Sequence, residues 1–255
     1  MKFLWVLVTL FVTLFAEDNA LQSLFDKNHL GGTILIESLD GKESYVFNEK
    51  RAQTPLLPAS TFKIPNTLIA LDKGIVTAQS SIIWDKVERS FPAWNQDQTL
   101  QSAFRNSCVW CYQLFARQVG LDAYKSYLKT LHYGNETPGS DLENFWLDGD
   151  LRITAYQQID FLKRLYSKNL PFKDEHLELL KTMMLDEQTA KSRIYAKTGW
   201  ATPKDLEHHG WYVGYIESPK GVYLFATNLV IPSSDVLPWR KKVTLEALKS
   251  KGILE

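Results

Sequence analysis

Strand-like and helix-like patterns are not mixed evenly along this chain: two-residue alternation marks its beginning and its end, and helical periodicity fills the stretch between. Residues 32–37 and 44–48 are rich in β-branched and aromatic side chains and flank Asp40-Gly41, the dipeptide of a tight turn, so an antiparallel hairpin opens the fold. Strand patterns return only at residues 192–197, 210–216 and 222–230, the last two joined by Ser218-Pro219-Lys220-Gly221. Apolar residues at three- and four-residue spacing predict helices over 64–75, 100–119, 122–131, 154–167 and 174–185, and a closing helix covers 237–251. A strand needs a partner for its backbone groups, so the two terminal sets are expected to meet in one sheet. The predicted class is mixed α+β: an antiparallel sheet from residues 17–58 and 186–255, flanked by helices, with an all-helical lobe over 59–185 inserted between its halves. A cleft between two such lobes is the expected place for a small ligand. No internal repeat or low-complexity linker divides the chain, which disfavours a modular binding array.

The first sixteen residues stand apart from that fold. Met1-Lys2 gives a positive start, and residues 3–15 form an uncharged apolar run closed by Ala16, the pattern of a secretory signal peptide. As a helix this run reaches about 20 Å, short of a hydrocarbon core of about 30 Å. Leu14 stands where a small residue is preferred, so the cleavage point after Ala16 is open to a shift of several residues. The expected mature chain, residues 17–255, is periplasmic, without stable membrane insertion. Lys plus Arg and Asp plus Glu number 29 each, so no net field gathers phosphates and nucleic acid is not an expected partner. An oxidising compartment permits, without requiring, a bridge between Cys108 and Cys111. Their spacing fits small packing residues on one helix face better than a thioredoxin-like redox pair, which needs a strand before it.

Pro58-Ala59-Ser60-Thr61-Phe62-Lys63 sets a hydroxyl and an amine three residues apart at a helix start, on one face within one turn. A serine hydroxyl is a poor nucleophile until a base takes its proton, and a lysine held out of water supplies a neutral amine that can do so. Pro65 lacks the N–H that would bond the Thr61 carbonyl, so this opening turn is not regular α-helix. A helix N-terminus adds N–H groups suited to a developing oxyanion. Lys197-Thr198-Gly199 closes a predicted strand with a cation, a hydroxyl and a glycine that permits close approach, a set suited to gripping a carboxylate. Ser107 follows Asn106 at a helix start and is placed to relay a proton. Each has a plainer reading: Ser60 and Ser107 as helix caps, Lys63 as a solvated side chain, Gly199 as a turn residue.

In order and spacing, Ser60-Thr61-Phe62-Lys63, Ser107-Cys108-Val109, Tyr133-Gly134-Asn135, Phe145-Trp146-Leu147-Asp148-Gly149 and Lys197-Thr198-Gly199-Trp200 resemble the motifs of the penicillin-recognising serine enzymes. The branch they resemble most is the class D serine β-lactamases, or oxacillinases. Leu237-Pro238-Trp239-Arg240 is similar to that family's arginine segment, and the likeness spans nearly all of the mature chain. The resemblance implies a β-lactamase/transpeptidase-like fold and hydrolysis of penicillin-type β-lactams through an acyl-enzyme on Ser60, conferring resistance. Lys63, Ser107 and Trp146 are the further catalytic residues it implies, with Val109, Leu147, Lys197, Thr198, Gly199, Trp200 and Arg240 in contact with substrate. It implies too that carbon dioxide carboxylates Lys63 to N6-carboxylysine, the general base, and that no metal or other cofactor is needed. Only an uncharged amine takes up carbon dioxide, so Lys63 is expected to be buried. Val109 and Leu147 match the apolar wall of that pocket, and Trp146 matches its indole donor.

Two other readings share the nucleophile. A peptidoglycan transpeptidase or carboxypeptidase deacylates slowly from β-lactams, and a β-lactam sensor domain is acylated once and signals; membrane anchors or appended domains are expected in both. Glu143, four residues before Leu147, echoes the carboxylate with which class A enzymes activate water and is a rival base. Five histidines occur without H-x-H-x-D or H-E-x-x-H, which disfavours a hydrolytic zinc site, and adjacent His208 and His209 read as a solvated loop pair. Phe91, Trp94 and Trp110 join Trp200 as candidate cleft residues.

Overall fold

In the computed structural model, which describes residues 18–204 and 206–255, the hairpin and the three late strands do share one sheet. The predicted signal peptide, residues 1–16, lies outside the described residues. The chain begins with α1 (Asn19–Lys27), β1 (Gly32–Ser38), β2 (Ser44–Phe47) and α2 (Glu49–Ala52), then a 3-10 turn over Ala59–Phe62 that runs into α3 (Lys63–Asp72). A small two-stranded ribbon, β3 (Ser81–Ile82) with β4 (Gln98–Thr99), precedes α4 (Leu100–Arg105), α5 (Val109–Val119), α6 (Leu121–Thr130), α7 (Ala155–Tyr166) and α8 (Asp174–Met184). The chain then returns to the sheet through β5 (Leu185–Gln188), β6 (Arg193–Ala201), β7 (His209–Ser218) and β8 (Gly221–Val230), and closes with α9 (Trp239–Ser250).

The sheet order is β2-β1-β8-β7-β6-β5, antiparallel throughout, so the first strand lies against the last. Alternation along these strands sends successive side chains to opposite layers. Ile34, Ile36, Tyr212 and Phe225 pack with Leu21 and Phe25 of α1 and Val243 and Leu248 of α9. Their strand neighbours Leu35, Val213, Leu224 and Ala226 pack with Leu68 of α3, Phe115 of α5, Leu162 of α7 and Leu180 of α8. A one-residue slip in β1 would exchange these two sets, so the register is specified by both cores, each fully buried Leu, Ile or Phe contributing about 1.5–3 kcal/mol. Among the described residues no helix is long and apolar enough to cross a membrane.

Two local expectations are corrected, and two elements stand outside the expected set. The predicted helix over 100–119 is broken at residues 106–108, where Ser107 takes a left-handed φ of 53°. Lys197-Thr198-Gly199 does not close its strand, because pairing with β7 continues to Ala201 opposite His209. The edge strand β5 was not predicted: Asp186, Glu187 and Gln188 give no apolar alternation to read. Nor was α1, whose only buried side chains are Leu21 and Phe25, one helical turn apart, and whose start is marked by the Asp18 cap.

Candidate active site

The turn that carries Ser60 is pinned from three sides. The Ala59 N–H donates to the Trp146 carbonyl at 2.8 Å, and Thr61 Oγ1 donates to the Pro58 carbonyl at 2.7 Å while accepting from Gln158 Nε2 at 3.0 Å. From β7, Trp211 Nε1 donates to the Leu57 carbonyl at 2.9 Å, and His209 Nε2 lies 3.0 Å from the same oxygen. His209 is therefore buried structure and not half of a solvated pair; His208 alone is exposed. From β6, a Cβ on Gly199 would stand 2.9 Å from the Pro58 oxygen, so the strand reaches the nucleophile's turn only as glycine. Ala59 and Ser107 both hold left-handed φ values, 48° and 53°, each costing about 1–2 kcal/mol in a residue with a β-carbon.

Lys63 Nζ lies 3.2 Å from Ser60 Oγ and 4.7 Å from the centre of the Tyr112 ring, with only 1% of the residue exposed. Burial first, and the charge of Lys197 second, hold this amine well below the ordinary lysine range. The plain reading of Lys63 as a solvated side chain is thereby excluded. Thr67 Oγ1 donates to the Lys63 carbonyl and accepts from the Tyr112 hydroxyl, both at 2.7 Å, which ties α3 to α5 under the amine. Lys197, also buried, donates from Nζ to Ser107 Oγ at 2.5 Å and to the Thr198 carbonyl at 3.1 Å. Its pKa is pulled down to about 7, by burial and then by Arg240, with Asp186 opposing. Two amines pushed to different degrees, each against a serine hydroxyl, are the pieces of an acid–base pair.

Above these groups lies a cleft of about 420 Å³. Of the predicted residues, Ser60, Ser107, Val109, Leu147, Thr198, Gly199, Trp200 and Arg240 line it, whereas Lys63, Lys197 and Trp146 lie beneath its floor, each 5% exposed or less. Arg240 crosses Gly210, where a Cβ would meet its Cδ at 2.5 Å, and donates to the Gly199 and Leu237 carbonyls. Burial draws its guanidinium down to about 10, still charged at neutral pH. Phe91 and Trp94, rings 4.6 Å apart, form one wall, but Trp110 is buried behind it, donating to the Trp94 carbonyl at 3.0 Å. Asn106 and Thr202 also line the cleft; neither belongs to a recognisable motif, so nothing local singles them out.

Trp146 is completely buried against Phe62, ring centres 5.7 Å apart, and its indole N–H has no acceptor. Its segment is braced by Tyr133-Gly134-Asn135: Gly134, at φ 59°, leaves no room for a side chain against the Arg152 carbonyl, and Asn135 Nδ2 donates to the Asp150 carbonyl at 2.8 Å. Glu143, the rival base, is taken by Arg117 at 2.6 Å and is not among the residues lining the cleft. Cys108 and Cys111 are joined in a disulfide, both fully buried. Among the described residues no three His, Cys, Asp or Glu side chains gather as a metal-binding group.

A serine beside a desolvated amine, with a second lysine and an arginine at the same cleft, defines a serine acyl-transfer centre. Residues 24–249 match the penicillin binding protein transpeptidase domain. The β-lactamase OXA-20 of Pseudomonas aeruginosa is 46% identical, covering 79% of this chain and 75% of its own length, and the β-lactamase OXA-48 of Klebsiella pneumoniae is 38% identical, covering 93% and 90%. Among solved structures, the class D β-lactamase YbXI from Nostoc superposes with a TM-score of 0.89 at 41% identity, covering 92% of this chain and 99% of its own. FUS-1 (OXA-85) from Fusobacterium nucleatum superposes at 0.91 with 34% identity, covering 94% and 100%. The chain belongs to the class D β-lactamases.

Proposed function

We propose that this protein hydrolyses the β-lactam ring of penicillin-type antibiotics through an acyl-enzyme on Ser60 and so confers resistance. The observation that carries the reading is Ser60 Oγ at 3.2 Å from an amine whose pKa burial holds well below the ordinary lysine range. The substrate carboxylate sits against Thr198 and the Arg240 guanidinium at the cleft, with the Lys197 ammonium just beneath its floor. Ser60 Oγ attacks the lactam carbonyl carbon as its proton passes to Lys63; the carbonyl–nitrogen bond breaks, and the ring nitrogen takes a proton through Ser107 from the Lys197 ammonium. Backbone N–H groups at the opening turn stabilise the oxyanion. The proton on Lys63 returns to Lys197, water attacks the ester carbonyl as the freed base at position 63 takes its proton, and that proton passes to Ser60 Oγ as the ester carbon–oxygen bond breaks.

The residues at position 63 fit a carbon dioxide adduct. Lys63 is buried with its pKa drawn well down, and Trp146 offers beside the same turn an indole N–H that lacks an acceptor. When bound, carbon dioxide on Lys63 supplies an oxygen base in place of the amine. Val109 and Leu147, at the cleft, limit water around the base. We also propose export to the periplasm, supported by residues 1–16; the chain expressed in a Gram-negative host should appear in the periplasmic fraction shortened at its N-terminus, and full-length retention in the cytoplasm would overturn this.

Purified protein is expected to bleach many equivalents of the chromogenic cephalosporin nitrocefin. One equivalent followed by a halt would indicate a sensor instead, and a slow trickle a transpeptidase. Losing the Arg240 guanidinium removes one charge-assisted contact, about 1.5–3 kcal/mol, so Arg240→Ala is expected to lose roughly ten- to a hundredfold in kcat/KM. Unchanged efficiency would take Arg240 out of the carboxylate site.

A further inference from the structure

The geometry points to the Cys108–Cys111 disulfide as a positioning device for the reaction: it closes the first turn of α5 on itself and thereby holds the Ser107 hydroxyl against Lys197. The inference rests on the reading of Ser107 and Lys197 as a proton relay given above.

Ser107 lies in the break between α4 and α5, outside either helix, in a left-handed conformation that is uncommon for a residue with a β-carbon. On its incoming side the backbone is held to α4, with the Ser107 N–H on the Phe104 carbonyl at 3.2 Å and the Cys108 N–H on the Ala103 carbonyl at 2.9 Å. On its outgoing side the capping residue of α5 is Cys108, whose Sγ accepts the Cys111 N–H at 3.3 Å. Sulfur is a weak acceptor, and this is the position where serine, threonine or aspartate ordinarily caps. The covalent bond to Cys111 supplies the hold that the cap lacks. Both cysteines are fully buried, so the bridge acts on the turn and not on a partner in solvent. The same turn sends Val109 to the cleft and Tyr112 beneath Lys63, so one bridged turn sets surroundings for both lysines.

If the bridge is absent, the first turn of α5 loosens on the outgoing side of Ser107, the bonds to α4 alone hold its backbone, and its Oγ moves off the Lys197 ammonium. An ammonium without its acceptor is less stable, so Lys197 loses its proton at lower pH. The other charged groups facing Lys197 stay in place: Lys63 from α3, Arg240 from α9 and Asp186 from β5.

The test is the double variant Cys108→Ala/Cys111→Ala, which removes the bridge and supplies no stronger cap in its place. Expected is a loss of about tenfold or more in kcat/KM for nitrocefin, with the alkaline limb of the kcat/KM profile displaced to lower pH, a readout that a loss of stability alone does not move. If the variant does not fold, the bridge is opened in the folded wild-type protein with tris(2-carboxyethyl)phosphine, confirmed by mass, and the same two quantities are read. Wild-type efficiency and an unmoved limb without the bridge would overturn the proposal. Ser107→Ala is measured alongside. If it is impaired and the unbridged protein is not, the bridge proposal alone falls; if Ser107→Ala is itself unimpaired, the relay falls and the bridge proposal with it.

Discussion

Replacing Ser60 with alanine is expected to lower kcat on the order of 10⁴- to 10⁶-fold while leaving KM within a few-fold, the pattern of a lost nucleophile in a site that still binds. No second hydroxyl is equipped to take over. Ser107 Oγ accepts a hydrogen bond from the Lys197 ammonium at 2.5 Å, which withdraws electron density from its oxygen. Lys197, Thr198 and Arg240 are untouched by the change, so carboxylate binding persists. Ser60 is 8% exposed and gives up one hydrogen bond to Lys63, so stability should change by only about 1 kcal/mol. Peptide mapping after incubation with a slowly hydrolysed β-lactam should place the adduct on Ser60 in the wild-type protein and nowhere in the variant. An adduct on Ser107, or full activity in Ser60→Ala, would defeat the assignment.

Activity should fail toward acid and toward alkaline pH for opposite reasons. Lys63 has its pKa depressed, so it is neutral above that value and protonated below it; lowering the pH therefore removes the base and closes the amine to carbon dioxide together. Added bicarbonate should restore part of the acid-side loss, and carbon-13 labelled carbon dioxide should give a carbamate signal that Lys63→Ala lacks. That variant is expected to lose about 10²–10⁴-fold in kcat and to stall as acyl-enzyme. Trp146→Ala removes the unaccepted indole N–H and should weaken the bicarbonate effect, slowing deacylation more than acylation. Turnover intact with no carbamate signal at neutral pH would refute carboxylation. On the alkaline side, Lys197 loses its ammonium as the pH rises through about 7, whereas Arg240 keeps its charge to about 10. A bound carboxylate favours the ammonium, so kcat/KM should fall at lower pH than kcat does. A profile whose alkaline limb is unchanged by Lys197→Arg would contradict this origin.

What a single stretch of chain determines by itself was legible without coordinates. Asp40-Gly41 specifies a hairpin because turn conformations depend on one or two residues, and period-2 runs at both ends demand a common sheet because unpaired strand edges are costly. Pro65 makes the Ser60 turn irregular by lacking one N–H, and the 3-10 turn over Ala59–Phe62 is the result. Ser60 and Lys63 meet because three residues are one turn. The tertiary structure alone decided properties that belong to neighbours remote in sequence. Lys63 has its pKa held well below the ordinary lysine range because α5 and β6 bury it and bring Lys197 near; His209 is buried because β7 runs behind Leu57; Glu143 is diverted because Arg117 of α5 faces it. Arg240 reaches the Gly199 carbonyl only because residue 210, on another strand, has no side chain. Burial, charge and reach are sums over everything within a few ångströms of an atom, and for these groups most of that surrounding comes from distant parts of the chain.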